Sequence, residues 1–180
     1  MRTITLPMDE ETRASLHAGE AVLLSGTVYT ARDAAHKRMT EQLESGEKLP
    51  FAMENAAIYY VGPTPAAPHQ AIGSAGPTTS SRMDAYTPRL LEEGLRVMIG
   101  KGRRSDEVKA SIRKHKAVYF VACGGAGALL SHCIKKSEPV AFADLLAEAV
   151  VKLTFEAFPC FVGIDTEGND IYELEDADLR

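Results

Sequence analysis

The sequence predicts an α/β fold, a mostly buried, largely parallel or mixed sheet flanked by helices, in a single domain over residues 1–180. Three observations carry this. Apolar runs of strand length alternate with stretches whose apolar residues recur at helical spacing. The runs "AAIYYVGP" and "AVYFVAC" are nearly continuous in apolar residues, as strands covered on both faces are. No repeat or flexible linker divides the chain, and 45% hydrophobic against 25% charged residues suffices for one core.

The elements follow in order. "DEETRASLHAG" reads as a short helix, with acids in its first turn and Gly19 to close it. "EAVLLSGTVYT" is a strand interrupted by Gly26. "ARDAAHKRMTEQLESG" is a helix with Ala31, Ala35, Met39 and Leu43 on one stripe, ended by Gly46. "AAIYYVGP" is the second strand. The stretch "IGSAGPTTSSRMDAYTP" holds glycines and small hydroxyls, with little that could fill a core. Thr87 and Pro88 then read as N-cap and first helical residue of "RLLEEGL". "RVMIGKG" is a strand turning at its glycines, "SDEVKASIRKHK" a helix capped by Ser105, and "AVYFVAC" the next strand. "GGAGALLSHCIKKS" starts a helix at a glycine-rich turn. The remainder supplies a late strand, a helical turn and one or two terminal strands, with "DTEGND" placing Gly168 and Asn169 at positive φ.

Composition excludes several functions. A net charge of −5 repels phosphate backbones, so no nucleic-acid partner is expected. No run approaches the ~20 apolar residues of a membrane span, and no signal-peptide core opens the chain. Cys123, Cys133 and Cys160 are odd in number and widely spaced, which predicts reduced, buried thiols in a cytoplasmic setting and no metal site in this chain. His17, His69, His115 and His132 have no partner at ligand spacing and read as surface residues.

Four clusters could carry chemistry. Gly73 and Gly76 allow close backbone approach, and Thr78 to Ser81 followed by Arg82 could bind an anion at a helix start; a solvated loop has the same composition. In "SGTVYTARDAAHKR", Arg32 and His36 lie four apart and share a helix face away from the alanine stripe; a polar surface face reads the same. Lys101 sits between glycines in "MIGKGRRS", where a turn lysine is ordinarily only solubilising. "ACGGAGALL" departs from a dinucleotide fingerprint and predicts tight strand–helix packing, not a cofactor. Arg32, Arg82 and Lys101 all fall at strand-to-helix junctions, so three cations could converge on a small dianion. The cluster lacks a nucleophile, acid/base pair or metal, which points to a second chain that completes it.

"GTVYTARDAAHKRM", "AAIYYVGPTPA", "IGSAGPTTSSRMDAYTP", "GLRVMIGKG" and "IDTEGNDIYE", in that order from about Leu6 to Tyr172, resemble the β subunit of class I, iron–sulfur-dependent fumarate hydratase. The same module forms the C-terminal domain of single-chain enzymes and is shared with L-tartrate dehydratase. The resemblance implies a swivelling β/β/α domain and a hydro-lyase that interconverts fumarate and (S)-malate. It further implies a hetero-oligomer whose α subunit holds a [4Fe-4S] cluster, with none bound by this chain. Residue by residue, Arg32, Arg82 and Lys101 match substrate-contacting cations, and Thr78 matches a threonine taking part in proton transfer. A threonine hydroxyl is a poor base, so Thr78 requires an acid from the partner to activate it. The "ARDAAH" context looks like the fumarase branch; tartrate dehydratase β subunits tend towards "CRDVCH".

Overall fold

A computed structural model describes residues 1–178. One mixed sheet of seven strands runs in the order β1-β2-β3-β4-β5-β7-β6. The strands are β1 (Arg2–Leu6), β2 (Ala21–Thr30), β3 (Ala57–Tyr59), β4 (Val97–Gly100), β5 (Val118–Val121), β6 (Ile134–Ala141) and β7 (Val150–Ile164). β1 to β5 run parallel to one another. The long β7 runs antiparallel to β2, β5 and β6. Because β7 pairs with both β2 and β5, strands β2, β3, β4, β5 and β7 close into a ring.

The helices are α1 (Glu10–Ala14), α2 (Asp33–Glu44), α3 (Thr87–Glu92), α4 (Asp106–His115), α5 (Gly127–Ser131) and α6 (Ile171–Asp178). Strand alternation divides the core in two. Tyr59, Val61, Ile99 and Phe120 join Val22, Leu24, Phe155 and Phe158 in one cluster. Ile58, Tyr60, Met98 and Tyr119 turn the other way, onto Ala35 and Met39 of α2, Leu90 and Leu91 of α3, and Val108 and Ile112 of α4. The predicted stripe on α2 is thus the face that packs, with Leu43 at its partly buried margin.

Several expectations need correction. β1 escapes a pattern search because it has five residues, "RTITL", with only Ile4 and Leu6 buried. Residues 134–137 belong to β6, not to a helix; β6 is an edge strand whose lysines, Glu138 and Pro139 suit an unpaired border. The last described residues form a helix, α6, that the sequence did not signal. Tyr86, not Thr87, occupies the N-cap of α3, and Thr87 Oγ1 donates instead to the Met83 carbonyl at 2.8 Å. Gly168 takes positive φ (+87°), but Asn169 does not. Cys160 is buried, Cys133 is intermediate, and Cys123 is exposed because it lies past the end of β5.

Candidate active site

Four parallel strands end at one edge of the ring. Register aligns Thr30 of β2 with Tyr59 of β3, Ile99 of β4 and Phe120 of β5. Arg32, Val61 and Lys101 each stand two residues past that common row. Neighbouring strands lie about 4.8 Å apart, so the backbones carrying Arg32 and Lys101, two strands apart, start roughly 10 Å from each other. Two long cationic side chains can close that gap onto one small dianion.

Arg32 precedes α2 in an extended conformation (φ −114°, ψ −162°) and makes no capping bond. Its guanidinium lies across Gly62 at the end of β3: a Cβ there would sit 2.5 Å from Nη1 and 2.9 Å from Cδ. The nearest carboxylate is that of Glu148, 4.0 Å from Nε, which also accepts the Ala34 N–H at 3.2 Å. Arg32 Nε, Asp33 Oδ1 and His36 Nε2 are buried and lack hydrogen-bond partners. Buried polar groups normally find partners, so this first turn of α2 has bonds to offer a bound polar group.

His36 does not share an exposed face with Arg32. It is fully buried against Tyr60 and Tyr86, and its Nδ1 donates to the Arg32 carbonyl at 2.8 Å. Burial pushes its pKa down to about 4, outweighing the effect of that hydrogen bond. The ring is therefore neutral at pH 7 and supports the backbone from which the Arg32 side chain departs.

The Gly- and Ser-rich stretch is a strap pinned along the same edge. Residues 64–70 are exposed, but Ile72 and Ala75 reach the core. Ser74 N–H donates to Thr64 Oγ1 (2.8 Å), Tyr59 Oη to the Ala75 carbonyl (2.5 Å), and Thr78 N–H to the Tyr60 carbonyl (2.8 Å). Thr79 then bridges Lys101 as in a parallel ladder. Ser80 N–H donates to the Lys101 carbonyl and Lys101 N–H to Ser80 Oγ, both at 3.0 Å.

These bonds hold the backbones of Thr78 and Lys101 close together, at the sheet edge that Arg32 also follows. Thr78 is half-buried, and its hydroxyl makes no hydrogen bond among the described residues. The Lys101 side chain runs over Gly124, where a Cβ would lie 3.5 Å from Cδ and 3.9 Å from Nζ. Arg82 lies on the 3-10 turn Ser80–Met83, exposed, so it shares the strap's placement without being held at the rim by its own side chain. Neither Arg82 nor Lys101 pairs with a carboxylate among the described residues. Sequence reading missed Asp84, Arg104 and Glu148, whose partners Arg104, Asp84 and Ala34 lie 20 or more residues away along the chain.

The donor set is cationic and hydroxylic, which suits an anion and not an iron–sulfur cluster. Among the described residues no group of three or more His, Cys, Asp or Glu could hold a metal ion. Cys123, Cys133 and Cys160 differ in exposure, and burial raises the thiol pKa of the latter two.

The comparisons with known proteins agree on one family. The family model described as the fumarase C-terminus matches residues 1–175. The chain is 40% identical over 156 residues to fumarate hydratase 2 of Leishmania major, covering 86% of this chain and 28% of that protein. It is 39% identical over 152 residues to the aerobic class I fumarate hydratase of Escherichia coli K12, covering 83% of this chain and again 28% of the relative. It thus spans little more than a quarter of the length of these fumarate hydratases. A protein of Methanocaldococcus jannaschii, provisionally named L(+)-tartrate dehydratase subunit beta, is 38% identical over 164 residues, covering 88% of this chain and 84% of its own length. The chain belongs to the fumarase C-terminus family.

Proposed function

We propose that this chain acts as one unit over residues 1–180, the β subunit of a cytoplasmic hydro-lyase that interconverts fumarate and (S)-malate. A small dicarboxylate is bound by Arg32, Arg82 and Lys101, and Thr78 takes part in proton transfer at the substrate carbon. A [4Fe-4S] cluster carried by an α subunit would supply a Lewis acid towards the substrate. The observation that carries the reading is the shared rim: Arg32 and Lys101 each stand two residues past a common row of the parallel strands, and Thr78 of the strap is bonded to the Tyr60 carbonyl just past β3. Among the described residues the two cations meet only one carboxylate, Glu148 at 4.0 Å from Arg32. Ligands in such sheets gather at strand ends.

The residue types suit the chemistry. Removing a proton beside a carboxylate throws negative charge onto that carboxylate in the transition state. Fixed guanidinium and ammonium groups stabilise it without having to reorganise. Losing one such contact costs on the order of 3 kcal/mol, or ~100-fold in rate. Thr78, with its backbone N–H held by the Tyr60 carbonyl and its hydroxyl unbonded, is free to exchange a proton once a partner acid activates it.

The test is to co-express the chain with a cluster-bearing α-type subunit and follow fumarate hydration. Wild-type complex should be active, and neither chain alone. Arg82→Ala should abolish turnover while the chain stays folded by circular dichroism. Full activity of the Arg82→Ala complex would refute the site. The M. jannaschii relative, the one here of similar length, favours a second reading: a tartrate dehydratase β subunit. The ratio of kcat/KM for fumarate and L-tartrate decides between them.

A further inference from the structure

Beneath the rim lies a buried polar spine. Arg104, 5% exposed, donates from Nε to Asp84 Oδ1 at 2.7 Å and from Nη2 to Thr87 Oγ1 at 2.8 Å. Its guanidinium lies between two rings, 5.3 Å from the centroid of Tyr60 and 4.9 Å from that of Tyr119. Burial opposes its charge, and Tyr60, Asp84 and Tyr119 more than offset that. Asp84 Oδ2 accepts the Ser105 N–H at 2.8 Å. The Tyr119 hydroxyl lies 2.8 Å from Ser80 Oγ and 2.9 Å from the Gly102 carbonyl, and the same Ser80 Oγ accepts from Lys101 N–H.

Asp84 follows Arg82 by two residues, and Arg104 follows Lys101 by three. One buried ion pair therefore ties the turn bearing Arg82 to the turn bearing Lys101. Ser80 and Tyr119 tie them a second time.

We infer that Arg104 and Asp84 are positioning residues for the cationic rim: they fix Arg82 and Lys101 relative to each other without touching the ligand. This rests on the proposed dicarboxylate site. Stability alone does not account for the pair, since apolar residues of similar volume commonly replace a buried ion pair at no loss. What such residues cannot supply is direction. A planar fork bonded to a carboxylate and a hydroxyl, and held between two rings, has one orientation.

The experiment removes both charges together, with Asp84→Asn/Arg104→Met, so that neither is left buried alone. The amide introduced by Asp84→Asn keeps an oxygen for the Ser105 N–H. Thermal unfolding should stay close to wild type, while kcat/KM for fumarate in the α–β complex falls ~100-fold, as a misplacement of about 1 Å implies. In the full chain alone, the amide resonances of Ser80 and Lys101 should shift while those of β1 stay put. Wild-type kcat/KM with unmoved amides would overturn the inference. Should the double variant fail to fold, Arg104→Lys, which keeps a positive charge beside Asp84 but loses the planar fork, carries the same two readouts, and the same outcomes support or overturn the inference. Arg82→Ala and Lys101→Ala complexes run alongside. If they retain full activity the site reading fails, whereas if they lose activity and the Asp84 and Arg104 variants do not, only the positioning role fails.

Discussion

Gly62→Ala is a strong test of the rim because it displaces the Arg32 side chain without replacing any candidate residue. Gly62 is not among the glycines held at positive φ, so alanine meets no backbone strain there. Its new Cβ would lie 2.5 Å from Arg32 Nη1 and 2.9 Å from Cδ. Ordinary non-bonded contact begins near 3.5 Å, so the guanidinium must retreat by about 1 Å. A catalytic group misplaced by that much costs ~100-fold, equivalent to about 2.7 kcal/mol of barrier. The displaced atoms are the mobile part of a long side chain, so folding stability should change by less than about 1 kcal/mol. The assay is kcat/KM for fumarate in the α–β complex, with urea unfolding of the chain beside it. A double-mutant cycle sharpens it: Gly62→Ala should cost nothing further once Arg32→Ala is present. Wild-type kcat/KM for Gly62→Ala, or full additivity with Arg32→Ala, would show that the Arg32 guanidinium is not used where it lies.

Other outcomes follow from the same geometry. Gly26 holds φ +120°, and a Cβ there would sit 2.1 Å from the Leu6 carbonyl oxygen, so Gly26→Ala should lower the unfolding free energy by about 3 kcal/mol in urea titration. Folding depresses the His36 pKa from 6.5 to about 4, so its neutral ring contributes full stability above pH 6.5. That contribution, on the order of 3 kcal/mol, should fall away as pH drops from 6.5 towards 4, and the His36 part of the slope should vanish in His36→Gln. Thiol labelling of the native chain should modify Cys123 first, Cys133 slowly and Cys160 only on unfolding, read by peptide mass.

What the sequence made legible was local. The Ser105 cap, where Oγ accepts the Val108 N–H, and the Ala31–Ala35–Met39 stripe each depend on residues within a turn or two. The junction positions of Arg32 and Lys101 could also be read, because parallel strands followed by helices place such residues at one sheet edge. His36 could not be read. At helical spacing from Arg32 it looks like a surface residue, and only the packing of Tyr60 and Tyr86 around it makes it core. The Asp84–Arg104 pair spans 20 residues of sequence and joins two turns whose adjacency is set by the Thr79–Lys101 bridge. β6 was misread because "KKSEP" is what an edge strand needs for protection and also what a helix end resembles.

The closure of the sheet by β7 bears on how the rim works. With β2 through β5 and β7 hydrogen-bonded in a circuit, no seam exists along which one cation-bearing turn could slide past another. Any swing of this chain against a neighbour would have to be that of a solid block. The entropy of aligning the backbones that carry Arg32 and Lys101 is then surrendered once, at folding, rather than at each encounter with a small dianion.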